Sequence, residues 1–256
     1  MQTLVVERQE SIVTLALNRP EVRNAINNSM IEELIEVMRE LDGDDDVRAA
    51  VVTSTSEQAF CTGMDLKERK DISEAALVRQ RRRMVEMFGA IRNAQRPLVA
   101  AVCGYALGGG LEIALNCDFI VAAENASFGM PEVSRGIMPG GGGTQLLPQR
   151  IGAARARELI YTGDVIDAPR ALQWGMVNHV VAAPEVLPTA LAIARKIADN
   201  GPIGVRQAKR AINFNQSLEE GVRFEAEAYL RVLFSEDRRE GFAAFNERRR
   251  AVYKGK

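Results

Sequence analysis

The sequence predicts an α/β core followed by an all-helical C-terminal region. Strand-like and helix-like segments alternate through about residue 181, whereas from Glu185 onward only helical patterns follow. Several of the strands are short, continuous apolar runs, the signature of buried strands. A length of 256 residues suits one α/β domain, or one domain with an appendage, and is ample for a real core. We therefore divide the chain into a core over 1–184 and a helical region over 185–256.

The elements follow in order. Residues 3–8 and 11–18 are rich in β-branched residues and joined by polar ones, which predicts a hairpin. Ser29 is a candidate cap for a helix to Leu41, with Met30, Leu34, Val37, Met38 and Leu41 as its apolar stripe and Gly43 as its end. Ala49–Ser54 reads as a buried strand and Cys61–Lys67 as a loop. Ser73 opens a helix to about Asn93. Leu98–Cys103 is a short apolar strand that leads into a glycine turn and the next helix. Asp118–Ala123 is another buried strand, and a strand-like run precedes Phe128. Pro139 and Gly140–Gly143 start a helix, and Ile151–Thr162 reads as the next. Pro169–Trp174 is a short helix and Met176–Val181 a strand. Helices are then expected over about 185–199, 202–214, 217–234 and 236–249, with Lys254–Lys256 as a loose end.

Composition excludes several functions. Net charge is −1 and the pI about 6.1, so no global field attracts nucleic acid or a membrane surface. The longest apolar runs fall far short of the ~20 residues needed to cross a bilayer. Met1 leads almost directly into Thr3–Val6, with no signal-like segment. Cys61, Cys103 and Cys117 are odd in number and lack zinc spacing; Cys103 and Cys117 lie in apolar runs. Buried thiols and a reducing, cytoplasmic setting are expected. His179 is the only histidine and sits in a strand-like run, which gives little support to a Ser-His-Asp triad or a metal site. Gly140–Gly143 runs into Thr144-Gln145, so it is not a P-loop, and no strand–GxGxxG–helix fingerprint for NAD or FAD appears. Neither a metal nor a redox cofactor is expected.

The most informative stretch is Gly104-Tyr105-Ala106-Leu107-Gly108-Gly109-Gly110-Leu111-Glu112. Consecutive glycines let backbone approach a ligand or another strand closely. A helix-type pattern follows at once, so free N–H groups at its start favour negative charge in front of them. Glu112 is the one carboxylate in this apolar segment, and Glu132 follows twenty positions later, in Phe128-Gly129-Met130-Pro131-Glu132. Oriented N–H groups and two carboxylates suit acid–base chemistry beside a carbonyl. Plainer readings exist: a tight turn for the glycines, a helix-dipole partner for Glu112, an exposed turn residue for Glu132.

At these residues the chain resembles the enoyl-CoA hydratase (crotonase) family over nearly its whole length. Asn18-Arg19-Pro20 with Asn24-Ala25 is similar to the family's N-terminal signature. Ala59-Phe60-Cys61-Thr62-Gly63-Met64-Asp65-Leu66-Lys67 resembles its oxyanion and coenzyme A loop. Pro97–Glu112, Asp118–Glu132 and Pro139–Gln145 follow its long central signature. Ser235-Glu236-Asp237-Arg238-Arg239-Glu240-Gly241 with Phe245 resembles its C-terminal helix.

The resemblance implies a ClpP-like spiral of repeated ββα units with an all-helical trimerisation region, assembled as a homotrimer or a hexamer of two trimers. It implies that the backbone N–H groups of Met64 and Gly109 form an oxyanion hole. Glu112 would activate the water that adds to the β carbon, and Glu132 would deliver or remove the α proton. Arg23, Ala25, Thr62, Met64, Asp65, Leu66, Lys67 and Gly109 are the implied contacts to substrate and coenzyme A, which is part of the acyl-CoA substrate rather than a cofactor. For Arg23 and Lys67 ordinary surface charge is the alternative. Met64 stands where a small residue is commoner. Met84, Met87, Phe88, Met130 and Met138 are candidate acyl-pocket walls, or simply core. Gly221, Phe224, Phe234 and Phe242 lie on C-terminal helices that a lone core would leave partly uncovered.

The activity implied is hydration of 2-enoyl-CoA. Methylglutaconyl-CoA hydratases, through the lead from Pro139 into Gly140–Gly143 and the Lys67-Glu68-Arg69 run, and carnitinyl-CoA dehydratases, through the Trp174 segment and the Tyr253-Lys254-Gly255-Lys256 end, are the alternatives within the family. A non-catalytic RNA-binding or scaffold protein is the alternative outside it. The first long helix argues against RNA: it carries Glu32, Glu33, Glu36 and Glu40, then Asp44, Asp45 and Asp46, an acidic face that repels phosphate. Arg79, Arg81, Arg82 and Arg83 form the notable basic cluster, which reads as a solvated helix face.

Overall fold

The computed structural model describes residues 1–68, 72–214, 220, 224, 227, 229, 231–232 and 234–256. Strand β1 (Leu4–Gln9) pairs antiparallel with β2 (Ile12–Leu17) as the expected hairpin, Leu4 opposite Leu17 and Gln9 opposite Ile12. Four further strands extend this sheet in parallel: β3 (Ala49–Ser54), β5 (Leu98–Val102), β7 (Phe119–Ala123) and β10 (His179–Val181). The order is β1-β2-β3-β5-β7-β10. A second sheet, ordered β4-β6-β8-β9, is built from β4 (Ala59–Cys61), β6 (Tyr105–Leu107), β8 (Ser127–Gly129) and β9 (Val165–Asp167). Its first three strands are parallel and β9 is antiparallel.

Parallel neighbours need long crossovers. They are supplied by α1 (Asn28–Gly43), α2 (Glu74–Asn93) and α3 (Gly109–Asn116). One order recurs: a strand in the large sheet, a strand in the small sheet, then a helix. It appears as β3–β4–α2, β5–β6–α3 and β7–β8–α4, where α4 is Gly143–Ile151. This is the spiral of ββα units that the sequence led us to expect. Strands β4, β6 and β9 are absent from the sequence reading, because three residues are too few to display a period. Helix α1 is capped by Asn27, whose side chain accepts from Met30 N–H at 2.9 Å, and not by Ser29. Ser73 caps α2 as expected. Helix α4 begins at Gly143, so Gly140 to Gly142 lie in the loop before it. A separate α5 (Ala153–Thr162) follows Gly152, and α6 spans Ala168–Gln173.

The large sheet is buried through its centre. Ala49–Val52, all of β5 and Ile120–Ala123 are inaccessible, and the buried stripe of α1, a helix that lies against α2 and β1, belongs to the same apolar core. Helix α7 (Val186–Ala198) lies on β3, β5 and β7 through Val186, Ala190 and Ala194. The first helix beyond residue 184 therefore belongs to the packing of the core. Helix α8 (Pro202–Ile212) follows, and the C-terminal helix is Glu236–Glu247. Between them residues 220, 224, 227, 229, 231 and 232 are helical, and Phe224 stacks on Phe214 with ring centroids 4.3 Å apart. The rest of the 217–234 helix, including Gly221, lies outside the described residues, as does the Phe245 side chain. Phe234 and Phe242 are exposed.

The chain end is held, contrary to expectation. Asp237 accepts from the N–H groups of Lys254 and Gly255 at 2.7 and 3.0 Å, and Glu236 N–H donates to the Lys256 carbonyl at 2.7 Å. Cys61 and Cys117 are buried free thiols and Cys103 is half-buried. No helix among the described residues is long and apolar enough to cross a membrane.

Candidate active site

The site forms where three segments leave the carboxyl ends of adjacent parallel strands β4, β6 and β8. After β4 the chain makes a short parallel bridge to Ile26: Ile26 N–H donates to Gly63 O at 2.8 Å, and Asp65 N–H donates to Ile26 O at 2.9 Å. Backbone groups alternate along an extended chain, so the intervening Met64 N–H faces away from Ile26. Among the described residues it has no acceptor.

After β6, Gly108 takes φ 52° and ψ −124°, a conformation that glycine adopts readily and side chains resist. Its N–H donates to Gly129 O at 2.9 Å, which pins the turn to β8. Helix α3 then starts at Gly109, whose N–H lacks an intrahelical partner by position and finds no other acceptor among the described residues. The two free donors are neighbours: a Cβ built on Gly63 would lie 3.3 Å from Gly109 N. Gly110 fixes this contact, because a Cβ there would lie 2.0 Å from the Cys61 carbonyl oxygen. It is the glycine of the run that admits no side chain at all. A Cβ on Gly109 would meet Ile26 Cδ1 at 3.2 Å and Phe88 Cζ at 3.8 Å, which is tight but not impossible.

Glu112 lies one turn into α3 and is 2% exposed. Its Oε1 accepts from Gly141 N–H at 2.6 Å and Gly143 N–H at 2.9 Å, so the carboxylate sits at the start of α4. Burial raises its pKa; the N–H groups of Gly143 and Gly141, and then the charge of Arg81, pull the other way. Glu132 lies in the 3-10 turn Pro131–Arg135 that follows β8. A Cβ on Gly108 would lie 2.9 Å from Glu132 Oε1, so this carboxylate stands directly over the turn that precedes Gly109. Its Oε2 is buried with no hydrogen-bond partner among the described residues. Burial, with the Glu112 charge adding to it, pushes its pKa up to about 7. One carboxylate is thus hydrogen-bonded by backbone and the other poised to exchange a proton near neutrality. With two backbone N–H groups beside the same turn free of acceptors among the described residues, the arrangement suits acid–base chemistry on a carbonyl compound.

The remaining predicted residues gather at one edge. Thr62 donates to the Arg23 carbonyl through its N–H at 3.2 Å and its hydroxyl at 3.3 Å. Arg23 has φ 52°, and its guanidinium stands 6.0 Å from the centre of the Tyr105 ring. The Asp65 carboxylate is engaged internally, pairing with Arg19 at 3.1 Å and accepting from Lys67 N–H at 3.1 Å. Ala25 offers its carbonyl to the same Arg19. Leu66 and Lys67 are exposed on the outer rim, and Arg69 lies outside the described residues. Met84, Met87, Phe88 and Met130 are buried, whereas Met138 is 66% exposed. A Cβ on Gly141 would lie 2.3 Å from the Phe88 ring, so this ring touches both the Gly109 turn and the loop before α4.

Sequence reasoning missed several working parts. Asn24 is buried, accepts from Arg19 N–H at 2.7 Å and donates to the Ala59 carbonyl at 3.1 Å. It ties the N-terminal motif to β4, and its place in that motif was the available signal. Gly141 and Gly143 hold Glu112 through backbone alone, which no residue type announces. His179 is exposed on β10, and among the described residues no cluster of three His, Cys, Asp or Glu side chains could hold a metal ion.

The model of the enoyl-CoA hydratase/isomerase family matches residues 7–256. A Bacillus subtilis protein named as a candidate enoyl-CoA hydratase/isomerase is 42% identical over 255 residues, covering 98% of each chain. A short-chain-enoyl-CoA hydratase of Clostridium acetobutylicum is 36% identical over 255 residues, covering 98% of this chain and 97% of its own. A crystal structure of enoyl-CoA hydratase from Bacillus anthracis matches with a TM-score of 0.97 at 40% identity, covering 100% of both chains.

Proposed function

The chain belongs to the enoyl-CoA hydratase/isomerase family, and from that premise we propose that it is an enoyl-CoA hydratase, reversibly adding water in syn fashion across a 2-enoyl-CoA thioester. The observation that carries this reading is the placement of two carboxylates around one helix start: Glu132 over Gly108, and Glu112 one turn inside α3.

In this reading the thioester oxygen sits between the N–H groups of Met64 and Gly109. Glu112 takes a proton from water as the water oxygen bonds to the β carbon. Glu132, part-protonated near neutrality, gives its proton to the α carbon. The enolate-like charge that builds on the thioester oxygen meets donors already in place, each worth about 3–4 kcal/mol in the transition state. The N–H bonds from Gly141 and Gly143 favour the ionised form of Glu112 that a base must have. In the same reading Arg23 and Lys67 contact the coenzyme's phosphates, and the Asp65–Leu66 edge holds its adenine end. The exposed Phe234 and Phe242 support burial between copies, as a homotrimer or a dimer of trimers.

The test is direct. Glu112→Gln and Glu132→Gln should each lower turnover of crotonyl-CoA by at least about 100-fold, the scale of general acid–base catalysis, with circular dichroism unchanged. Wild-type rates in either variant would overturn the assignment.

A further inference from the structure

Helix α2 carries four arginines close together: Arg79, Arg81, Arg82 and Arg83. They are not equivalent. Arg83 is neutralised by ion pairs with Glu32 and Glu86. Arg81 has no carboxylate within ion-pairing reach among the described residues, and its guanidinium is turned towards the active site. A Cβ built on Gly140 would lie 3.3 Å from both Arg81 Cζ and Arg81 Nη2, so the guanidinium rests against this glycine. The next residue, Gly141, donates to Glu112 at 2.6 Å. The cation is therefore about one residue away from the carboxylate assigned to act at the β carbon, and its charge is felt there. Glu112 does not engage it; Oε1 is taken by Gly141 and Gly143.

Arg81 itself is an exposed residue, so its guanidinium is open to solvent as well as to the Gly140 loop. Met84, Met87 and Phe88, on the same helix, are buried with Met130. A side chain on Gly140 would crowd the guanidinium, so glycine there keeps the cation open to the site. With Glu112 acting at the β carbon, as proposed above, the next acyl carbons fall near Glu112, and Arg81 is a cation beside it with no ion-pair partner among the described residues. A planar guanidinium at this place suits a carboxylate, which it can bind through two parallel N–H bonds.

We propose that Arg81 forms an anion subsite at the acyl end of the site, and that the preferred substrates are 2-enoyl-CoA thioesters whose acyl chain ends in a second carboxylate. The proposal rests on the hydratase reading above.

The experiment compares glutaconyl-CoA with the neutral 2-pentenoyl-CoA of the same chain length. Each is assayed with wild type, Arg81→Met and Arg81→Lys. Wild type should favour glutaconyl-CoA in kcat/KM. Arg81→Met should raise KM for glutaconyl-CoA by about ten-fold or more relative to its effect on 2-pentenoyl-CoA, the value of a hydrogen-bonded charge pair. Arg81→Lys should recover part of that loss, since it keeps the charge without the planar fork. Equal losses on both thioesters, chiefly in kcat, would mean that Arg81 acts through Glu112, and would overturn the subsite. So would no change on either thioester, the behaviour of a solvated arginine. Hydration of neither thioester by wild type would instead remove the hydratase reading, and this proposal with it.

Discussion

Replacing Glu132 by glutamine should cost activity yet stabilise the fold, and only on the alkaline side. The carboxyl has an ordinary value of 4.5 and a folded value of about 7. Because the folded value is the higher one, the proton is held more tightly in the native state. The wild type therefore loses stability as pH rises from the lower value to the upper one. A gap of about 2.5 corresponds to roughly 3.4 kcal/mol once fully open. Glu132 is only partly buried, and screening reduces this to about 2–3 kcal/mol. At about pH 5 less than about 1 kcal/mol of the cost has appeared, while by about pH 8.5 nearly all of it has. Glutamine keeps the shape but cannot ionise, so its advantage over wild type should grow by about 1.5–2.5 kcal/mol between these conditions. For a chain of this size that is about 4–8 °C in Tm. Thermal melts of both proteins across this pH range measure the difference directly. An advantage that stays constant, or shrinks as pH rises, would refute the claim that a carboxylate whose Oε2 is buried without a partner among the described residues is being forced to ionise.

Three further outcomes are expected. Gly109→Val should nearly abolish crotonyl-CoA hydration, because the first added carbon already crowds Ile26 and Phe88 and the branch resists the turn, whereas Met64→Ala should retain most activity because the donor is backbone; equal loss in both would mean that the Met64 side chain takes part in the chemistry. Glu112→Ala should melt several degrees below Glu112→Gln, since alanine strands the N–H groups of Gly141 and Gly143 at about 1–3 kcal/mol each while an amide oxygen can still accept; matching Tm values would show that water replaces the carboxylate. Light scattering at micromolar concentration should give the mass of a trimer or hexamer, and a monomer mass would contradict burial of Phe234 and Phe242 between copies.

Much of this was legible in the sequence. The long strands and helices announced themselves through apolar runs and caps, Glu112 stood out as a carboxylate in an apolar segment, and Glu132 was picked out as its partner by the family resemblance. The illegible parts share one physical cause: they are backbone contacts. Strands β4, β6 and β9 span three residues each, too short for a period, and they exist because neighbouring strands offer hydrogen bonds. The grip of Gly141 and Gly143 on Glu112 uses N–H groups that every residue but proline has. The impossibility of a side chain at Gly110 depends on a carbonyl some fifty positions away in sequence, on Cys61. The α1 cap was read as Ser29, whereas Asn27, next to the Ile26–Met64 bridge, holds the place.

The delivery of the site by three adjacent parallel strands has a consequence for how such a chain can change. The spacing between the Met64 loop, the Gly109 turn and the Glu132 turn is set by the distance between neighbouring strands, ~4.8 Å, rather than by loop length or side-chain reach. The proposed donors for developing negative charge belong to the main chain, so a single substitution other than proline leaves the N–H itself in place. Glu112 and Glu132, by contrast, contribute through their side chains, which a substitution removes. On the proposed reading, selection can exchange the groups that move protons while the backbone means of holding an enolate is inherited whole.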